Sequence, residues 1–224
     1  GTNENFVERQ EESNAVIEDL EVILGVIRDD MNIEANPKGF MMGDVVIEQG
    51  GREANIRDMP GRWGFPISTS ITDMIIKELS ADYVLVIETG ALYQRLVEEN
   101  YWKHNNCILI TPMGQSARSV RVIIKRLREE FNLPIIVFTD GDPWGWYIYS
   151  VIKAGSMNLA HTSELLGTPT AKFIGLSASD IKEYGLENYT IKATDRDIKR
   201  AKELMNYPWF QHKEWQKEIK LMIK

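Results

Sequence analysis

Hydrophobic positions follow two different rhythms along this chain. Near the start, Val16, Ile17, Leu20, Ile23, Leu24 and Ile27 recur at spacings of three and four, which predicts an amphipathic helix over residues 13–27. Ser13 or Asn14 would cap its start, and Gly25 is a weak point near its end. The apolar triplet Val45-Val46-Ile47, a Gln49-Gly50-Gly51-Arg52 turn and the segment Ala54-Asn55-Ile56 predict a hairpin. Residues 59–66 hold two prolines, two glycines and Trp63, a loop composition. Residues 1–70 are expected to be a helix-and-hairpin lead-in packed on a core formed by residues 71–224.

From residue 83 the rhythm changes to strand and helix in alternation. Tyr83–Ile87 and Cys107–Thr111 are continuous apolar runs, as strands buried on both faces require. Residues 134–139 and 171–176 give a third and a fourth. Between them lie predicted helices over residues 91–99, 116–131 and 144–154, the second with Val120, Ile123, Ile124, Leu127 and Phe131 on one face. The remainder is helical and charged. Repeated strand–helix units with buried strands predict an α/β fold, a mainly parallel sheet with helices on both faces.

Composition narrows the class. With 43% hydrophobic and 26% charged residues, the 224-residue chain can bury a globular core and is not a disordered one. A single cysteine, Cys107, excludes an internal disulfide and fits a reducing compartment. No apolar run approaches the ~20 residues of a membrane span, and no basic, apolar leader opens the chain, so a cytoplasmic location is expected. The net charge of −7 argues against a surface that coats polyanions generally, yet a local basic stripe or a bound cation can reverse the field at one face.

Candidate chemistry gathers where the predicted strands end. Glu88 closes the first, Asp140 closes the third, and Asp142 follows two residues later. Ligands of open parallel sheets bind at the carboxyl ends of strands, so neighbouring first and third strands would bring Glu88 and Asp140 together. An extended Asp140-Gly141-Asp142 segment would turn both aspartates to one side. Two carboxylates ~4 Å apart repel by about 4 kcal/mol at an effective dielectric of 20, so the cluster calls for a cation. All-oxygen ligands favour Mg²⁺. Asp142 also precedes Pro143 and a helix, and helix capping alone accounts for it equally well. Arg118, Arg121, Lys125 and Arg128 form a basic stripe on the helix that follows the second strand, either a solvated face or a track for phosphates. His104, His161 and His212 lack zinc spacing, and no Walker glycine loop is present. The aromatic cluster of Tyr207, Trp209, Phe210 and Trp215 fits core or interface better than a base-stacking platform.

An acid at a strand end, Gly90 two residues on and a later D-x-D resemble the Toprim fold, the metal-binding domain of topoisomerases, primases and some nucleases. A longer stretch is more specific. Asp140-Gly141-Asp142-Pro143-Trp144-Gly145-Trp146-Tyr147 with its continuation to Lys153, then residues 155–160, resembles the A-subunit family of DNA topoisomerase VI. Residues 11–20, 82–88 and 171–176 are similar as well. That family's eukaryotic relative is the meiotic break-forming transesterase.

The resemblance implies that Glu88, Asp140 and Asp142 bind Mg²⁺, and that Glu88 moves a proton during resealing. It implies the DNA-cleaving half of an ATP-dependent type IIB topoisomerase, with duplex DNA as substrate and, for a partner, a separate ATPase B subunit. A homodimer of A subunits within an A2B2 heterotetramer follows. The family's nucleophile is a tyrosine of an upstream winged-helix domain. No tyrosine precedes Tyr83 here, and Tyr147 and Tyr149, in the helix after Asp142, match packing positions. The chain is therefore expected to be a fragment cut at both ends, inactive alone. The competing readings are a Toprim nuclease or primase on the same acids, a non-catalytic DNA-binding or dimerisation module, and a D-x-D nucleotide-sugar transferase.

Overall fold

The computed structural model describes residues 10–26, 31, 33, 38–59, 61–67, 73–155 and 166–223. Ile27, Pro60, the matched segment 156–160, His161 and Lys224 lie outside these. Two compact units divide the chain at Pro37 and Lys38. In the first, helix α1 spans Gln10–Leu24. It starts three residues before Ser13, so Ser13 and Asn14 are helical rather than capping.

The second unit holds the sheets. Its strands are β1 (Phe40–Met42), β2 (Asp44–Gln49), β3 (Arg52–Asn55), β4 (Phe65–Pro66), β5 (Ile75–Ser80), β6 (Tyr83–Ile87), β7 (Cys107–Thr111), β8 (Ile135–Phe138) and β9 (Lys172–Ile174). Helices α2 (Gly90–Glu98) and α3 (Tyr101–His104) join β6 to β7; α4 (Arg118–Phe131) joins β7 to β8; α5 (Pro143–Ala154) follows β8. After β9 come α6 (Ala178–Glu183), α7 (Asp195–Leu204) and α8 (Lys213–Met222).

The main sheet has the order β4-β1-β7-β6-β8-β9. Its last four strands are parallel, and β1 runs antiparallel to both β7 and β4. The fold is thus α/β with a mostly parallel sheet flanked by helices. The β6-to-β7 connection steps one way across the sheet and the β7-to-β8 connection steps back over β6. Right-handed crossovers therefore put α2 and α3 on one face and α4 and α5 on the other. Covered on both faces, Val84, Val86, Ile87, Ile108, Leu109 and Ile110 have no exposed surface, each contributing roughly 1.5–3 kcal/mol of burial.

The predicted hairpin is the β2–β3 pair, with Ile47 opposite Ala54. A further strand, β5, completes this second, antiparallel sheet on the other side of β2. Residues 61–64 are irregular, and β4 follows, with Phe65 opposite Met41. Gly39, at φ +101°, brings the chain into β1; a Cβ there would strike Thr111 O and Val120 Cγ2 at 2.7 and 2.6 Å, so only glycine lets β1 lie this close to β7 and α4. Helix α4 buries Val120, Ile123, Ile124 and Leu127 and ends on Asn132 in the left-handed region.

Candidate metal centre

Parallel pairing of β6 and β8 places Ile87 opposite Phe138, so both strands reach the same sheet edge together. The Glu88 N–H donates to Phe138 O at 3.1 Å, extending the ladder one residue past β6. Its carbonyl accepts from Gly114 N–H at 3.2 Å, and Thr111 Oγ1 lies 3.5 Å from the same oxygen. With the backbone fixed this way, the Glu88 carboxylate reaches across and accepts the Asp140 N–H at 3.1 Å. Two acids 52 residues apart are joined.

Asp142 is the N-cap of α5: its Oδ1 accepts the Gly145 N–H at 2.7 Å, with Pro143 in the first turn. The capping role is real and ties up one oxygen. Gly145 also fits where no side chain would, since a Cβ would overlap Asp140 O and sit 3.0 Å from Glu88 Oε2. The first turn of α5 thereby lies directly against both other acids, where the helix dipole favours negative charge.

Electrostatics tie the three acids together. Burial pushes the Glu88 carboxyl up to about 7; the Asp140 N–H pulls it down, and the charges of Asp140 and Asp142 push it up again. Asp140 is raised too, by burial and then by Asp142. Among the described residues, no three His, Cys, Asp or Glu side chains are gathered tightly enough to hold a metal as they stand. The donor chemistry nevertheless suits Mg²⁺. It consists of carboxylates in electrostatic reach of one another, and Thr139, which precedes Asp140 in the chain, is 1% exposed with a hydroxyl that has no partner among the described residues.

Thr139, Gly145 and the Thr111–Gly114 brace do not stand out as site residues in the sequence. Gly145 alone leaves a trace, as a glycine early in a strong helix where only close packing justifies it.

The basic stripe is not uniform. Arg121 is 7% exposed and so is no solvated surface group. Lys125 lies 3.6 Å from Glu129, and Arg128 donates to Asn132 O at 3.1 Å, at the helix end. Arg118 sits in the first turn of α4, half-buried. Tyr149 is buried, donates to Ala171 O at 3.1 Å and has its hydroxyl pushed up to about 12 by burial. Tyr147 lies under Arg200, whose guanidinium carbon is 4.2 Å from the ring centre. Both tyrosines are packing residues. His212 lies 3.8 Å from Glu214, and His104 ends α3.

A mostly parallel sheet with acids on two adjacent strand ends and a capped D-x-D defines a Toprim-type α/β domain. Residues 83–224 match the family described as the Toprim domain of Spo11 and the topoisomerase 6 A subunit, and the chain belongs to that family. It is 50% identical over 234 residues to the A subunit of type 2 DNA topoisomerase 6 from Pyrococcus horikoshii, covering 100% of this chain and 61% of that protein. The proteins of the same name from Hyperthermus butylicus and Methanosarcina acetivorans are 44% and 37% identical, over 98% and 96% of this chain and 59% and 58% of theirs. The chain thus spans about three fifths of the curated relatives it matches.

Proposed function

We propose that this chain is the Toprim core of the DNA-cleaving subunit of an ATP-dependent type IIB topoisomerase. The juncture of Glu88 and Asp140 through the Asp140 N–H carries the reading. Glu88, Asp140 and Asp142 would hold Mg²⁺, which when bound supplies positive charge against the anionic phosphoryl group. The nucleophile is a tyrosine outside this chain: its oxygen bonds to phosphorus, the 3′ oxygen leaves with a proton, and the 5′ phosphate stays on the tyrosine. Resealing reverses these bonds. A Glu88 carboxyl poised near 7 is suited to hold or release that proton at neutral pH. Arg118, Arg121 and Lys125 on α4 hold DNA phosphates close to the acids. The remaining assignments are a duplex DNA substrate, an ATPase B subunit, an A2B2 assembly and a cytoplasmic setting. No described helix is long and apolar enough to cross a membrane.

Calorimetric Mg²⁺ titration of the chain and of Asp140→Asn tests the metal assignment. Binding should be lost in the variant; equal binding refutes it. The full-length subunit with its ATPase partner should cut duplex DNA and retain a 5′-phosphotyrosyl link, whereas the 224-residue chain alone should not cut. Mg²⁺-dependent nicking by the chain alone, abolished in Glu88→Gln, would establish the nuclease reading instead.

A further inference from the structure

Arg121 is only 7% exposed, yet among the described residues no carboxylate pairs with it and its Nε has no hydrogen-bond partner. The charged groups it meets are the wrong kind to neutralise it. Arg118 opposes its charge, and the other neighbour is the Tyr147 hydroxyl. Burying a guanidinium without a counter-charge is among the costliest arrangements a fold can hold, so a missing anion is the simplest completion.

The surroundings suit such an anion. Arg121 lies one turn into α4, and helical side chains lean back toward the N-terminus, over the first turn. That turn follows Ala117, whose side chain cannot cap it, and it carries no acid. The first N–H groups of a helix point outward along its axis, and Ala117 at the N-cap has no side-chain oxygen to offer them. Just before the helix, Ser116 is 8% exposed and its Oγ also lacks a partner among the described residues. A helix N-terminus, a hydroxyl and a guanidinium are the usual components of a phosphate seat. The loop from β7 into α4 also rests on Glu88, through Gly114 N–H.

We propose that Ser116 Oγ and the Arg121 guanidinium, at the start of α4, form a seat for a single phosphate group of the DNA backbone. The proposal rests on the DNA-cleaving reading above only for the source of that phosphate. A discrete seat next to the acids would fix one phosphodiester, and with it the register of the duplex against the metal.

Thermal unfolding of the 224-residue chain is compared in inorganic phosphate and in chloride at matched ionic strength. At a hundredfold excess over Kd, phosphate should raise the Tm by at least about 5 °C. The rise should vanish in Arg121→Met and shrink in Ser116→Ala. In chloride, Arg121→Met should melt above the parent, because its buried charge is gone, which also shows that the variant folds. An equal phosphate shift in the parent and in Arg121→Met overturns the seat. Affinity for a short duplex, measured against salt, identifies the source. Arg121→Met should bind about tenfold more weakly, with a log–log slope shallower by about 0.9. An unchanged slope alongside an intact phosphate shift assigns the seat to free phosphate and overturns the DNA assignment. Asp140→Asn should keep the phosphate shift while losing Mg²⁺, so failure of the metal reading is seen separately.

Discussion

Burial raises the Glu88 carboxyl from its ordinary 4.5 to about 7, and the charges of Asp140 and Asp142 add to the rise. The folded chain therefore binds this proton more tightly than the unfolded chain does. The associated stability is fully present below about 4.5 and is lost as pH rises through about 7. In metal-free buffer, Glu88→Gln should change the Tm little at about pH 5 and raise it at about pH 8. An identical Tm difference at both pH values would show that the carboxyl titrates normally. Asp142 separates two roles in a single side chain. Asparagine caps helices as well as aspartate does, so Asp142→Asn should retain stability and weaken Mg²⁺ binding, less than Asp140→Asn does. Asp142→Ala should also lose the bond to Gly145 N–H, at a cost of about 1 kcal/mol in denaturant unfolding.

At the scale of elements, α5 positions the site because its first turn can touch the end of β8. Gly145→Ala would drive a Cβ into Asp140 O and toward Glu88 Oε2. Overpacking of this kind costs about 1–3 kcal/mol, and Mg²⁺ affinity should fall with it. Unaltered Mg²⁺ titration in Gly145→Ala would show that the helix start does not set the geometry of the acids. Strands β6, β7 and β8 and helices α2, α4 and α5 were all legible from the sequence, because continuous apolar runs and a 3.6-residue period survive without tertiary context. Phe40-Met41-Met42 was not: three apolar residues carry no period, and β1 exists because it fills the edge beside β7. Strand β5 was hidden for a related reason, since its pattern Ile75-Ile76-Lys77-Glu78-Leu79 alternates poorly, and Lys77 is held by an ion pair with Glu48 on β2. Within the site, Glu88 and Asp140 were visible as acids ending apolar runs. Thr139 and the burial of Arg121 were not, because a hydroxyl next to an acid, or an arginine on a basic stripe, has the same sequence signature whether it is exposed or enclosed.

Across the whole molecule, the C-terminal helices are joined to the sheet by aromatic packing. Trp146 of α5 lies 4.6 Å from Trp215 of α8 and 5.8 Å from Phe210, between ring centres, while Phe173 of β9 lies 5.7 Å from Trp215. Phe210 is 1% exposed and belongs to the core, and Tyr207, Trp209 and Trp215 pack against that core while partly exposed. Arg200 of α7 closes the neighbouring side, its guanidinium carbon 4.5 Å from the Trp144 ring, whose Nε1–H donates to Asp197 at 3.0 Å. The helix that presents Asp142 to the acids is therefore clamped from behind by residues beyond position 195. Phe210→Ala should remove about 3–5 kcal/mol, which for a chain of this size lowers the Tm by roughly 6–20 °C. Because α5 carries Trp146 of the cluster and is capped by Asp142, Mg²⁺ affinity should fall together with stability, and tryptophan fluorescence and far-ultraviolet circular dichroism should report one coincident transition. If fluorescence instead changes well before the helical signal, with Mg²⁺ binding intact between the two, the C-terminal helices unfold as a separate unit and do not support the site.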